Sequence, residues 1–246
     1  MPVALEDATK IVQVFLYSGK QYVCVMQMHA DIPNSVLVKV MNQFTGEIYQ
    51  KPPLRSSVKR APRKRFIYGI DIHEIDGRLV LFTCTCQAGT YIRKLCSDIG
   101  DVIGCSSHMR ELRRTRAGPF TENRDLTTLH ELSAAQEEFE KGNETPLRKI
   151  IKPMEIALQL IPQILVRDSA VDSICHGASL AIPGIAKVEA SVEKNKPVAL
   201  FTQKGEAVAL GRSLLSFSDI VNQDKGLAVK LERVLMARKT YPSLWK

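Results

Sequence analysis

From Arg78 to Cys86 the chain reads RLVLFTCTC, with Val80, Phe82, Cys84 and Cys86 at alternate positions, the period of a strand with one buried face. Past a Gly-Thr-Tyr turn the period changes. In IRKLCSDIGDVIG, Ile92, Leu95, Cys96, Ile99, Val102 and Ile103 recur at helical spacing, which predicts an amphipathic helix with Arg93 in its first turn. The free N–H groups of that turn attract anions, and Arg93 adds a full charge beside them. Taken alone, the stretch fits a solvated surface arginine better, because most arginines are exposed.

Upstream, VALEDATKIVQVFL has helical spacing, YSGK breaks it, and QYVCVMQMH alternates as a strand with Tyr22 near its beginning. DIPNSVLVKVMNQFTGEI reads as a capped helix, with Asn34 or Ser35 at the N-cap and Gly46 past its end. Downstream, DLTTLHELSAAQEEFEKG is an acidic helix with a threonine cap, NETP a linker, and LRKIIKPMEIALQLIP a proline-interrupted helical connection. After Pro162 the texture shifts to short strands. VRDSAVDSICHG is a small helix with Asp168 as its cap and Gly177 as its terminator, PVALFTQKGEAVALGRS a hairpin turning at Gly205, and GLAVKLERVLM a further strand. The expected organisation is an α+β unit over residues 1–161, and a small β-barrel module over residues 162–240.

Composition narrows the function more than the fold. Hydrophobic content of 45% and charged content of 24% belong to a globular chain, and no apolar run is long enough to span a bilayer. MPVALEDATK lacks the basic start and apolar core of a signal peptide. The six cysteines lie mostly in apolar, periodic segments, and no C-x-x-C pair or H-E-x-x-H run occurs. Buried free thiols in a reducing cytoplasm account for them, and no metal site is expected.

The excess of 34 Lys+Arg over 26 Asp+Glu, a formal +8, favours a polyanionic partner. It is concentrated. Lys51, Arg55, Lys59, Arg60, Arg63, Lys64 and Arg65 occur without an intervening acid, and Pro52, Pro53 and Pro62 keep the stretch out of a regular helix. An extended basic segment suits a phosphate backbone, and a solvated loop has the same composition. A second cluster, HMRELRRTRAGPF, holds Arg110, Arg113, Arg114 and Arg116 around Leu112. It suggests one face toward the core and one toward an anion, although a polar helix with charges three apart looks similar.

AGTYIRKL, QKPPLRSSVKR, ELRRTRAGPF and RDSAVDSICHGASLAIPGI, in this order, strongly resemble the TruB/dyskerin family of RNA pseudouridine synthases. The likeness is nearest to the archaeal and eukaryotic branch that works in H/ACA ribonucleoprotein particles, and it extends to the ending MARKTYPSLWK. The resemblance implies a mixed, mostly antiparallel sheet flanked by helices, followed by a C-terminal PUA β-barrel that grips RNA. It implies isomerisation of uridine in rRNA or tRNA, without metal or organic cofactor, on a base flipped out of its stack. The implied partners are substrate RNA, an H/ACA guide RNA and small core proteins of the particle. The location would be the cytoplasm of a prokaryote or the nucleolus of a eukaryote.

The resemblance also implies roles. Tyr22 matches the tyrosine that stacks on the flipped base, and Arg93 the arginine that pairs with a nucleophilic aspartate. Tyr91 and Leu112 match pocket-lining positions, Leu95 belongs either beside them or in the core, and Lys59 matches a lysine near the site. One departure is large. The family bears its aspartate in a G-T-L-D-P motif just before the PVALEDAT segment, and these 246 residues contain no such run. Asp7 and Asp98 match no nucleophile. The expectation is a late start, a fragment, or a catalytic domain completed by another polypeptide. The alternative function is a non-catalytic RNA-binding scaffold.

Overall fold

The computed structural model describes residues 2–52 and 61–243. The chain forms two compact units, one built on residues 15–126 and the other on residues 3–14 and 127 onward.

A 3-10 helix, Glu6–Ile11, leads into α1 (Val12–Tyr17), β1 (Lys20–Met28), α2 (Asn34–Gln43), β2 (Gly46–Gln50), β3 (Arg63–Asp76) and β4 (Leu79–Cys86). Then come α3 (Ile92–Ile103), β5 (Ser107–Ala117), β6 (Phe120–Thr121) and α4 (Glu122–Asp125). The strands make one antiparallel sheet in the order β2-β3-β4-β1-β5-β6. Its buried face is the alternation read from the sequence. Cys24, Met26 and Met28 of β1 lie beside Val80, Phe82, Cys84 and Cys86 of β4, in one core with Leu37 and Met41 of α2. The apolar stripe of α3 closes that core through Ile92, Leu95, Cys96 and Ile99. Val102, placed on the same stripe by its spacing, is 60% exposed because it lies at the stripe's edge, while Ile103 beside it packs against the core.

α3 can approach β5 closely because residue 100 is glycine. A Cβ there would lie 2.6 Å from the Cys105 carbonyl oxygen, the Ser107 amide nitrogen and Ser107 Oγ. Ser107 Oγ in turn donates to the Cys96 carbonyl at 2.5 Å, so a buried hydroxyl bonds the helix to the strand.

Several local expectations change. The stretch HMRELRRTRA is strand β5, with bulges between Gln21/Tyr22 and Val25/Met26 in its ladder with β1. α2 starts on Asn34 with Pro33 as its cap, and the Pro33 carbonyl accepts from Val36 and Leu37. Likewise α8 (Asp168–Cys175) is capped by Arg167, and Asp168 is its first residue, without a side-chain cap bond. Its carboxylate still favours the helix N-terminus electrostatically.

In the second unit α5 (Leu129–Glu140) begins at Thr128 with a reciprocal capping box to Glu131, as the threonine cap predicted. Next come α6 (Thr145–Ile150), α7 (Glu155–Leu158) and β7 (Gln163–Val166). α8 follows, then β8 (Leu180–Ala181), β9 (Ile185–Val188), β10 (Pro197–Thr202), β11 (Ala207–Ser213), α9 (Phe217–Asn222) and β12 (Leu227–Val234). The sheet order is β8-β12-β11-β10-β7-β9, antiparallel except for the β7/β10 pair. The expected hairpin turn is present, with Gly205 at φ +85° and its N–H donating to the Thr202 carbonyl. Residues 127–161, expected on the N-terminal side of the boundary, pack within this unit, and Glu155 Oε1 accepts the Ala207 N–H at 3.2 Å.

All six cysteines are free, and all but the half-buried Cys105 are buried. Among the described residues no group of three or more His, Cys, Asp or Glu could hold a metal ion, and no helix is long and apolar enough to cross a membrane.

Candidate active site

The ladder between β1 and β4 pairs Lys20 with Cys86 and Tyr22 with Cys84. β4 ends at Cys86, and a short turn, residues 87–91, delivers the chain into α3. Tyr22, Tyr91 and Arg93 therefore come from three segments that meet at one end of the first sheet. Leu112 pairs with Cys24 and Arg114 with Tyr22, which adds these two side chains to the same sheet face.

Tyr22 is half-buried at the edge of the core. Burial raises its phenol above the usual range, the neighbouring Cys86 adds to this, and a hydrogen bond from Arg114 opposes it. The phenol is therefore protonated at neutral pH. Beneath it, Lys20 donates to the carbonyls of Phe15 and Ser18, both at 2.7 Å, and of Leu16 at 3.2 Å. It satisfies the C-terminal carbonyls of α1 and fixes the Ser18-Gly19 approach to Tyr22. Burial lowers the Lys20 ammonium, and the Arg114 charge lowers it further.

Arg93 is exposed, and among the described residues it has no carboxylate partner. The two aspartates weighed from the sequence are otherwise engaged: Asp98 pairs with Lys94 at 2.5 Å, and Asp7 with Lys10 at 2.9 Å. Leu95 is fully buried in the core, whereas Leu112 is 41% exposed on the face it shares with Tyr22.

The basic clusters resolve unevenly. Arg55, Lys59 and Arg60 lie outside the described residues. Lys51 is exposed just beyond β2, and Arg63 pairs with Gln50 at the last rung before the segment. Lys64 is ion-paired with Glu47 at 3.0 Å and lies 5.5 Å over the Tyr49 ring. Arg65 is turned inward, donating to the carbonyls of Gly89 at 3.0 Å and Lys64 at 2.7 Å. In β5, Arg113 pairs with Val23 and Arg116 with Gln21, on the sheet face opposite Arg114. Arg113 is bound to Glu122 at 2.8 Å, while Arg110 is exposed. The arginines thus divide between two faces, where the sequence suggested one.

Sequence reasoning missed Gln50 altogether. This residue, 2% exposed at the end of β2, accepts the Tyr91 N–H through Oε1 at 3.0 Å. It returns a bond from Nε2 to the Tyr91 carbonyl at 3.2 Å. A buried amide that satisfies both backbone groups of one residue is a rigid tie.

Family models match along the chain in order. Residues 1–92 match the N-terminal domain of the TruB family of pseudouridylate synthases, residues 93–159 the C-terminal domain of tRNA pseudouridylate synthase B, and residues 162–235 the PUA domain. Among curated relatives, "Probable tRNA pseudouridine synthase B" of Methanopyrus kandleri is 52% identical over 100% of this chain and 72% of its own length. The protein of the same name from Saccharolobus solfataricus is 49% identical over 100% of this chain and 98% of its own. A solved "Cbf5-Nop10-Gar1 Complex" holds a chain that superposes with a TM-score of 0.95 at 48% identity, covering 99% of this chain and 74% of that one. A chain in a "Structure of H/ACA RNP bound to a substrate RNA containing 2'-deoxyuridine" gives 0.90 at 45% identity, covering 98% and 73%. From its first strand to its last, and with its PUA domain in place, the chain belongs to the TruB family of pseudouridylate synthases.

Proposed function

We propose that this chain is the catalytic subunit of an H/ACA RNA-guided particle that converts uridine to pseudouridine within rRNA or tRNA. One observation carries the reading: a likeness spanning nearly the whole chain to solved H/ACA assemblies, at 45–48% identity. The partners would be substrate RNA, a guide RNA and small core proteins, in the cytoplasm of a prokaryote. The module from residue 162 to 240 would serve as a second RNA grip.

In this reading the target uridine leaves its stack and lies on Tyr22, whose neutral phenol ring offers an uncharged stacking surface. Tyr91 and Leu112 flank it. An aspartate attacks the ribose carbon and displaces the base, the base turns, its C5 displaces the aspartate from that carbon, and the C5 proton leaves to solvent. Arg93 holds that aspartate ionised and oriented, because a carboxylate enclosed with a base would otherwise take up a proton. The reaction calls for no metal or organic cofactor. The same basic clusters and stacking residues would also serve a second reading, a scaffold that binds RNA without turning it over.

Both readings require RNA to bind through its phosphates. Filter binding to a hairpin RNA should show log affinity falling linearly with log salt, by about 0.7 to 0.9 per phosphate contact. The slope should fall when Lys51 and Arg110 are changed to alanine. An affinity indifferent to salt would remove the basic clusters from the RNA interface.

A further inference from the structure

The end of the first sheet opposite Tyr22 brings together two histidines that lie 79 residues apart in the chain. β1 and β5 run antiparallel there, with Gln27 opposite His108 and Met28 opposite Ser107. The His29 N–H donates to the Ser106 carbonyl at 2.9 Å. His29 and His108 thus stand diagonally across the last rungs of the ladder, on the sheet face away from the core. Their backbones are fixed from below. Met28 and Ser107 are 2% and 7% exposed, and the Ser107 hydroxyl bonds this strand to α3. The imidazoles themselves are exposed.

His29 Nε2 lies 2.7 Å from His108 Nδ1, and the rings meet edge to face with centroids 4.9 Å apart. One nitrogen donates its hydrogen to the lone pair of the other. Two imidazole nitrogens held this close also form a chelate. A tetrahedral cation with metal–nitrogen bonds of about 2.0–2.1 Å would set them about 3.3 Å apart. Exposed rings reach that spacing by rotating about their side-chain torsions, without moving either strand. The shared hydrogen shifts to the outer nitrogen of its own ring, His29 Nδ1 or His108 Nε2. Both rings then coordinate as neutral imidazoles, and no net proton is released.

We propose that His29 and His108 form a two-ligand site for a divalent transition-metal cation that prefers imidazole: zinc, nickel or copper(II). Water completes the shell, since Asp31, two residues beyond His29, is held by Arg78 Nε and Nη2 at 2.7 and 2.9 Å. Imidazole donors select these ions over magnesium, which takes oxygen ligands. From Tyr22 to His29 the extended strand spans about 23 Å, so the cation takes no part in the isomerisation. It ties β1 to β5 where their ladder ends, and a ligand that binds only the folded chain stabilises it by mass action.

Nickel is the probe, because its paramagnetism broadens the NMR signals of nearby nuclei. In the reduced 246-residue protein, purified without a histidine tag, sub-stoichiometric nickel should first broaden the amides of residues 27–30 and 106–109. His73 and His176, hydrogen-bonded to the Thr83 hydroxyl and the Asp172 carbonyl, are the internal controls and should respond only later. His29→Ala and His108→Ala should each weaken nickel binding about 100-fold or more, because losing a mere outer-shell partner already costs about 10- to 100-fold. Saturating zinc should raise the melting midpoint of the first unit by several degrees, and magnesium should leave it unchanged. Broadening that begins elsewhere, or spreads evenly, would overturn the site. So would a single variant that keeps the parent's affinity, since one histidine would then suffice. A midpoint indifferent to zinc would overturn the tie between the strands.

Discussion

Given RNA carrying C5-tritiated uridine, the 246 residues alone should bind the RNA and release no tritium above background. Covalent isomerisation requires a carboxylate nucleophile, and the residues that orient one cannot replace it. Among the described residues no carboxylate pairs with Arg93, and Asp7 and Asp98 are paired with Lys10 and Lys94 instead. Joining a relative's G-T-L-D-P segment to the chain should restore turnover, and exchanging its aspartate for asparagine should abolish it again. In the restored protein Arg93→Ala should lower turnover by about 10²- to 10³-fold, the scale for removing one preorganised charge partner. Binding should be nearly unchanged, since stacking on Tyr22 and the phosphate contacts do not depend on that guanidinium. Tritium release by the unmodified chain would prove that a residue within it attacks, and Asp7 would be the first to mutate.

The second large effect is structural. Gly100→Ala gains about 1 kcal/mol of helix propensity. Against this, the new methyl meets a carbonyl oxygen, an amide nitrogen and a hydroxyl at 2.6 Å. Two of these are backbone atoms that cannot rotate away. Overpacking of this kind costs about 1–3 kcal/mol and sometimes more, so the cost outweighs the gain. The melting midpoint of the first unit should fall by several degrees, with loss of activity because α3 carries Arg93. Gly69→Ala is the control, for nothing lies within 4 Å of a Cβ there and its φ is not left-handed; it should stay within about 0.5 kcal/mol of the parent. Equal melting curves for the two variants would show that α3 does not approach β5 as closely as described.

How much of this was legible depended on how regular each period was. β4 and α3 could be read directly because their apolar residues keep strict spacings of two and of three or four. β3 could not. Its isoleucines at 67, 70, 72 and 75 are spaced three, two and three, because bulges at Ile67/Gly69 and Ile72/Glu74 reset the alternation. Two bulges in the β1/β5 ladder likewise hid the strand in HMRELRRTRA, so its arginines looked like one face when they occupy two. The site divided similarly. Tyr22 and Arg93 stood out through the motifs around them. Gln50 left no trace, since it is a polar residue beside Lys51 and Pro52 whose partner is a backbone group forty-one residues away. Side-chain patterning carries no record of a bond made to the main chain.

The unequal burial of the thiols has a practical consequence. Cys24, Cys84, Cys86 and Cys96 are sealed in the core of the first unit, each at 1% exposure or less, and Cys175 lies in that of the second. A thiol-modifying reagent can reach any of them only when the surrounding structure opens. Cys105, half-buried, should react first and serve as an internal time zero. The later mass increments then form two separate clocks, one of four tags and one of a single tag. Their rates report how often each half of the molecule breathes, without a spectroscopic probe or a change to the natural chain.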